Sequence, residues 1–406
     1  MKRGLIVLRL VVKIGILCHL PPPDKKWVDE NDRIKSWRMV RSNAALTCRG
    51  TLISIKFSYS SNDDEKIDPR FLPRNIRRLD LADGGILTEE NWDCLPQGLT
   101  HLTLGRWFNK PLATKNPFKK KLPSSLTHLC LGYCFDQPID RSIWNSDLCN
   151  LTHLALGYRF NKPVDDLPPT LTHLVLDNDF NQPIDNLPDG LVHLSLGYEF
   201  NQPLGKKLPQ KLTNLVFGYR FNQPLPPRNQ MPQNLTHLTL GGDFNQPLKN
   251  LPQSLTHLTL GARFNQPLDH LPFSITHLFI DGSFNQPLKN LPLELTHLTL
   301  RGDFDQPLET IFLQKLTHLD LGNLFNQPSL CDNLPLSLTH LTLGFMFMYP
   351  LENLPPNLVY ISLGVLFNRP LFTKTKAPTS LVSLNLSKYY RQPLYHLPPT
   401  IIINYH

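Results

Sequence analysis

The chain has 406 residues, 41% of them hydrophobic and 18% charged, which supplies a core and lies far from the apolar-poor, charge-rich composition of disorder. Its 38 prolines leave almost no window long enough for an unbroken α-helix and exclude a mostly helical protein. The net charge of +8 is concentrated at the start, where residues 1–70 hold 14 Lys or Arg against 8 Asp or Glu. The nearly neutral remainder lacks the basic face that a nucleic-acid-binding body needs.

Taken in chain order, Gly4 to Leu20 is apolar but interrupted by Arg9 and Lys13, so it fits neither a membrane span of about 20 apolar residues nor a signal segment. Those two charges lie four apart, on one face of a predicted helix that is buried or bound to a partner. No stable membrane span is expected, and the expected location is the cytoplasm. Residues 1–50 read as a basic, partly helical region, and 51–98 as irregular strands. Lys115, Lys119, Lys120 and Lys121 form a basic loop, solvated or in touch with an acidic partner. The seven cysteines contain no CxxC and no His at ligand spacing, so no disulfide framework and no metal site is expected.

From residue 99 to residue 396 a repeat with a commonest period of 20 takes over. Its line Leu251-Pro-Gln-Ser-Leu-Thr-His-Leu-Thr-Leu-Gly-Ala-Arg-Phe-Asn-Gln-Pro-Leu268 recurs fourteen times, counted by the aromatics from Phe108 to Tyr390. Within Leu255–Leu260, period-two alternation points Leu255, Leu258 and Leu260 inward and sets His257 and Thr259 on an outer sheet face. Counting such segments from Leu52 to Ile401 gives seventeen short strands, with residues 397–406 as a terminal cap strand. Gly261 and its equivalents suit a turn with φ > 0, although Asp177, Asp281, Arg301 and Ser387 fill that slot elsewhere. Phe264 should re-enter the core and stack on its equivalents. Asn265 is placed to hydrogen-bond turn backbone, and the paired prolines favour turns and extended chain on the outer side. The fold class is therefore mainly β: a leucine-rich-repeat-like solenoid of about 20-residue coils with a parallel sheet on one face and a small, partly helical N-terminal cap.

The Phe-Asn-Gln-Pro-Leu signature with its preceding Leu-Thr-His-Leu resembles the FNIP repeat, a leucine-rich-repeat-like unit of amoebal proteins and the giant viruses that infect amoebae. Gln or Lys stands here where the name has Ile; Asp136 and Asp305 replace Asn, and the copies at Met348-Tyr349 and Tyr390-Arg391 are degraded. The resemblance implies an N-terminal F-box, which binds an adaptor of cullin-type ubiquitin ligases. The segment Leu8 to Arg49 resembles a degenerate version without the leading Leu-Pro. Its alternative is a cap that hides the first open edge of the solenoid.

Eleven histidines, His101 through His340, share one repeat slot and read as a neutral structural ladder. No nucleotide loop, nucleophile elbow or metalloprotease motif is present, and identical copies do not provide the locally unique constellation that catalysis needs. Neither an enzyme nor a cofactor is expected. The expected function is protein binding by a monomeric solenoid, as the substrate receptor of a ubiquitin ligase or, alternatively, as a structural or surface repeat protein. The candidate contact residues are His257, His277, Phe279 and His297, with Asp320 toward the rim, because Phe279 is the large aromatic in a slot that otherwise varies among small residues.

Overall fold

The computed structural model describes residues 54–56, 65–67, 72, 74–81, 85–87, 95–112, 122–141, 143–144, 150–205, 208–308, 313–372 and 376–406. The N-terminal helix, the F-box-like segment and the Lys115–Lys121 loop lie outside these residues. The chain divides into two units, Met1–Gly197 and Tyr198–His406.

In the first unit the strands are β1 (Ser54–Lys56), β2 (Glu65–Ile67), β3 (Arg78–Asp80), β4 (Gly85–Leu87), β5 (His101–Thr103), β6 (His128–Cys130), β7 (His153–Leu156), β8 (His173–Leu176) and β9 (His193–Ser195). Strands β1, β3 and β5 to β9 pair in that order, all parallel, one strand per coil. The parallel pair β2–β4, which the repeat pattern does not announce, lies apart from that sheet.

The second unit carries β10 (Asn214–Val216), β11 (His237–Leu240), β12 (His257–Leu260), β13 (His277–Ile280), β14 (His297–Leu300), β15 (His318–Leu321), β16 (His340–Leu343), β17 (Tyr360–Leu363), β18 (Ser383–Leu386) and β19 (Ile402–Tyr405). They form one parallel ladder in strict register, His257 opposite His277 opposite His297. A single 3-10 turn, Leu330–Asn333, is the only helical piece among the described residues. The solenoid of parallel strands and turns is thus the leucine-rich-repeat-like fold that the spacing predicts.

Each coil closes through turns whose residues explain the repeat line. The Leu255 N–H donates to the Pro252 carbonyl, making a turn that delivers Leu255 to the core. The Phe264 N–H donates to the Gly261 carbonyl, and that second turn drives the ring inward. Leu255, Leu258, Leu260 and Phe264 are all buried. Phe264 sits 6.3 Å from Phe244 and 6.1 Å from Phe284, ring on ring, and the stack continues to Tyr390. At about 1.5 to 3 kcal/mol per buried large apolar side chain, this column with its leucines is the main source of stability.

Asn265 joins coils rather than closing its own. Its Oδ1 accepts the Asn285 N–H at 3.0 Å and the Gln286 amide at 3.2 Å, while Asn245 does the same for Asn265 and Gln266. Ser254 and Ser274 add a further bond on the other edge, each donating to a leucine carbonyl of the preceding coil.

Two expectations need correction. Gly132, Gly157 and Gly241 do not adopt positive φ; a Cβ at any of them would overlap the carbonyl oxygen of the preceding coil, so close approach of backbone selects glycine. Where Asp281 and Arg301 hold the slot, positive φ moves one residue on, to Gly282 at 74° and Gly302 at 80°. The last strand is also displaced by one residue. Ile402, not Ile403, pairs with Ser383 in the histidine row, and that shift exchanges the two faces.

Candidate protein-binding face

The sheet face is built from two rows of side chains. The first row in the second unit runs His237, His257, His277, His297, His318 and His340, with adjacent ring centres 4.1–4.2 Å apart and nearly parallel planes. Tyr360 extends it at 5.7 Å. The first unit has its own run, His101, His128, His153 and His173 at 4.0 Å, with His193 further off at 5.8 Å.

The threonine that precedes every histidine of the two runs except His193, which follows Val192, fixes the ring, a role that residue alternation alone did not reveal. Thr276 Oγ1 lies 3.2 Å from the Thr256 carbonyl and 2.9 Å from His277 Nδ1. A hydroxyl has one proton and a carbonyl only accepts, so both contacts are satisfied when the hydroxyl donates to the carbonyl and the Nδ1–H donates to the hydroxyl oxygen. Nε2 is then left as the acceptor of the ring. The same pairing recurs at Thr256–His257 and Thr296–His297.

Partial burial, followed by repulsion from neighbouring imidazoles, lowers His257, His277, His297 and His318 below the ordinary histidine value. In the first unit the same causes hold His153 down to about 4. The stacked rings offer parallel rather than convergent nitrogens, and among the described residues no three His, Cys, Asp or Glu are grouped to hold a metal ion. No helix among those residues is long and apolar enough to cross a membrane.

The second row is Thr239, Thr259, Phe279, Thr299, Asp320 and Thr342. Phe279 stands opposite Thr259 on one side and Thr299 on the other, and Asp320 follows Thr299. His257, His277 and His297 run alongside in consecutive contact. The five candidate residues thus lie together on one face, joined by one residue the sequence reading left out. Arg301, in a glycine slot, places its guanidinium 5.6 Å from the Phe279 ring centre and pairs with Asp320 at 3.2 Å. The only forewarning was that the slot should hold glycine.

The family model FNIP Repeat matches five consecutive segments, 163–199, 200–243, 244–283, 284–324 and 325–366, together half of the chain. Among solved structures, CroV588, described as a novel circular LRR protein structure, is 32% identical with a TM-score of 0.68. That match covers 87% of this chain and 59% of CroV588, so the chain spans less than two thirds of that protein. YopM from Yersinia enterocolitica shares the fold at 20% identity and a TM-score of 0.55, over 92% of this chain and 86% of that one. Drosophila Toll, in its complex with Spatzle, does so at 17% and 0.51, over 86% and 48%. No curated protein matches.

Proposed function

Since this chain belongs to the FNIP repeat family, we propose that it is a protein-binding scaffold whose second unit contacts its partner through the sheet face around Phe279. The observation that carries the reading is the break in an otherwise regular face. Threonines and stacked histidines repeat coil after coil on this face, and in its second row Phe279 brings a large aromatic against the Arg301 guanidinium, which in turn pairs with the Asp320 carboxylate. Aromatic and arginine side chains are the types that dominate binding energy, and a partner can find its register only where the ladder varies. Solenoids of this kind offer long continuous surfaces; Toll, held in a complex with Spatzle, is a related fold put to that use.

The finer role, substrate receptor of a cullin-type ubiquitin ligase, rests on the F-box resemblance of Leu8 to Arg49. Affinity purification of the intact chain followed by mass spectrometry tests it. An adaptor and a cullin that co-purify support the ligase role, whereas a partner without them leaves a scaffold outside that system. With the partner in hand, Phe279→Ala should weaken binding at least about tenfold by calorimetry and Thr239→Ala should not. Equal affinities of two folded variants would remove the sheet face.

A further inference from the structure

Away from the sheet face, the turn that follows each strand carries two pairs of stacked tyrosines. Tyr133 and Tyr158 follow Gly132 and Gly157 in consecutive coils, and Tyr198 and Tyr219 follow Gly197 and Gly218 in the same way. Asn178, Gly242 and Ala262 fill that slot elsewhere, so the fold does not require an aromatic there. Neighbouring backbones come close at this point, since a Cβ on Gly157 would overlap the Gly132 carbonyl oxygen. The Arg159 N–H donates to the Tyr133 carbonyl at 3.0 Å and the Arg220 N–H to the Tyr198 carbonyl at 2.9 Å, which fixes the offset of each pair. The rings therefore stack face to face, with centres 4.3 Å apart and planes 10° from parallel in the first pair, and 4.9 Å and 8° in the second. Neither pair extends into a longer stack. Arg106 holds the slot before Tyr133, with its guanidinium 4.9 Å from that ring centre, and Asn178 holds the slot after Tyr158. Tyr219 leans over Gly242, where a Cβ would collide with its ring. Tyr133 and Tyr158 are half-buried, and Tyr198 and Tyr219 are 42% and 39% exposed, so both pairs are open to solvent.

We propose that Tyr133 with Tyr158, and Tyr198 with Tyr219, are oxidative cross-linking sites, each pair joined as dityrosine by a haem peroxidase acting with hydrogen peroxide. Each phenol loses one electron to the oxidant and its hydroxyl proton to water. Two such losses, with two protons, reduce one hydrogen peroxide to two waters. The phenoxyl radicals carry spin on the ring carbons ortho to oxygen, the Cε atoms. One Cε–Cε bond forms between the stacked rings, and the hydrogen on each joined carbon moves to its oxygen and restores both phenols. The chain thus loses two hydrogen atoms per link. Radical coupling between separate molecules waits for an encounter, whereas rings already in contact meet at a far higher effective concentration. Each link ties neighbouring coils into a covalent loop, and a solenoid whose repeats touch only their neighbours opens by parting such coils. The inference is independent of the protein-binding reading and of Phe279.

The test treats the full chain, at high dilution, with a haem peroxidase and hydrogen peroxide, follows dityrosine fluorescence, and maps linked peptides by mass spectrometry. The expected products are monomeric chains lighter by two hydrogens per link, joined at Tyr133–Tyr158 and Tyr198–Tyr219, with a higher urea midpoint than the untreated chain. Tyr395, 47% exposed with His396 as its ring neighbour, is the internal control and should stay unlinked. Tyr158→Phe should remove the first link and keep the second, and Tyr219→Phe the reverse, because Phe preserves the stack but forms no phenoxyl radical. The double variant should retain less than about a tenth of the parent's fluorescence. No dityrosine, links confined to dimers of the chain, links at Tyr395 in place of the two pairs, an unchanged urea midpoint, or undiminished fluorescence in the double variant would each overturn the proposal.

Discussion

Arg301 folds across its own coil to cap Phe279, with the guanidinium carbon 5.6 Å from the ring centre, while its Nε and a terminal nitrogen both donate to one oxygen of Asp320 at 3.2 Å. The aromatic expected to meet a partner is thus covered on one side by a cation that is itself 58% exposed. A partner must displace or share that cap.

Removing the cap should cost little folding stability. Exposed cation–π contacts and exposed ion pairs are each worth at most about 1 kcal/mol, so Arg301→Ala should destabilise by about 1 kcal/mol or less in urea denaturation. A loss above about 2 kcal/mol would mean that Arg301 supports the coil and not only the face.

Phe264→Ala should cost about 3 to 5 kcal/mol locally, because the ring is fully buried between Phe244 and Phe284 and its loss leaves a cavity. Arg263→Ala, next to it but in an exposed pair with Asp243, should be nearly neutral. Hydrogen exchange of the amides of β11 to β13 reads both, and equal effects would contradict the inward and outward assignment.

Asn265→Ala should cost about 1 to 3 kcal/mol, since it strips an acceptor from the Asn285 N–H and the Gln286 amide. Asn265→Asp should cost much less. Asp136 and Asp305 already fill that slot and accept the N–H of Asn161 and Asn326. Thermal unfolding of the two variants separates the acceptor from the side-chain shape.

Acid should weaken the fold through the ladders. A histidine whose folded value is lowered binds its proton less readily than in the unfolded chain, where the value is 6.5. Between those two values the unfolded state holds more protons, so stability falls as pH drops. The stability is fully present above about 6.5, declines through pH 6 and 5, and the contribution of these groups levels off below their folded values, about 4 for His153. Urea midpoints at pH 7.5, 6 and 5 should follow this course. The triple His→Asn variant at 257, 277 and 297 should flatten the slope, and an unchanged slope would place the acid-sensitive groups elsewhere.

The strands and the aromatic column were legible because they depend on local alternation and a fixed period. Leu258 and Phe264 are inward in every context that keeps the repeat. What was not legible depends on the coil before or after. The fold-back of Arg301 onto Phe279 requires knowing that residues 22 apart meet, and the need for Gly132 becomes visible only when the Gly105 carbonyl lies against it. Thr276 sits just ahead of its strand, so alternation says nothing of its bond to His277. The terminal Ile-Ile-Ile fits either of two registers, and hydrophobicity alone does not choose between them.

The asparagine contacts also bear on how such a chain can change in length. In the regular coils the Asn Oδ1 serves the N–H of the next coil, so each of them presents the same acceptor on one side and the same donor on the other, as Asn245, Asn265 and Asn285 do in succession. Gain or loss of one whole turn rejoins a donor to an identical acceptor and leaves no group unmatched, whereas loss of half a turn breaks the Asn, Thr and Phe columns together. Copy number is therefore free to drift by recombination between near-identical segments, while the content of a single coil is held by both of its neighbours.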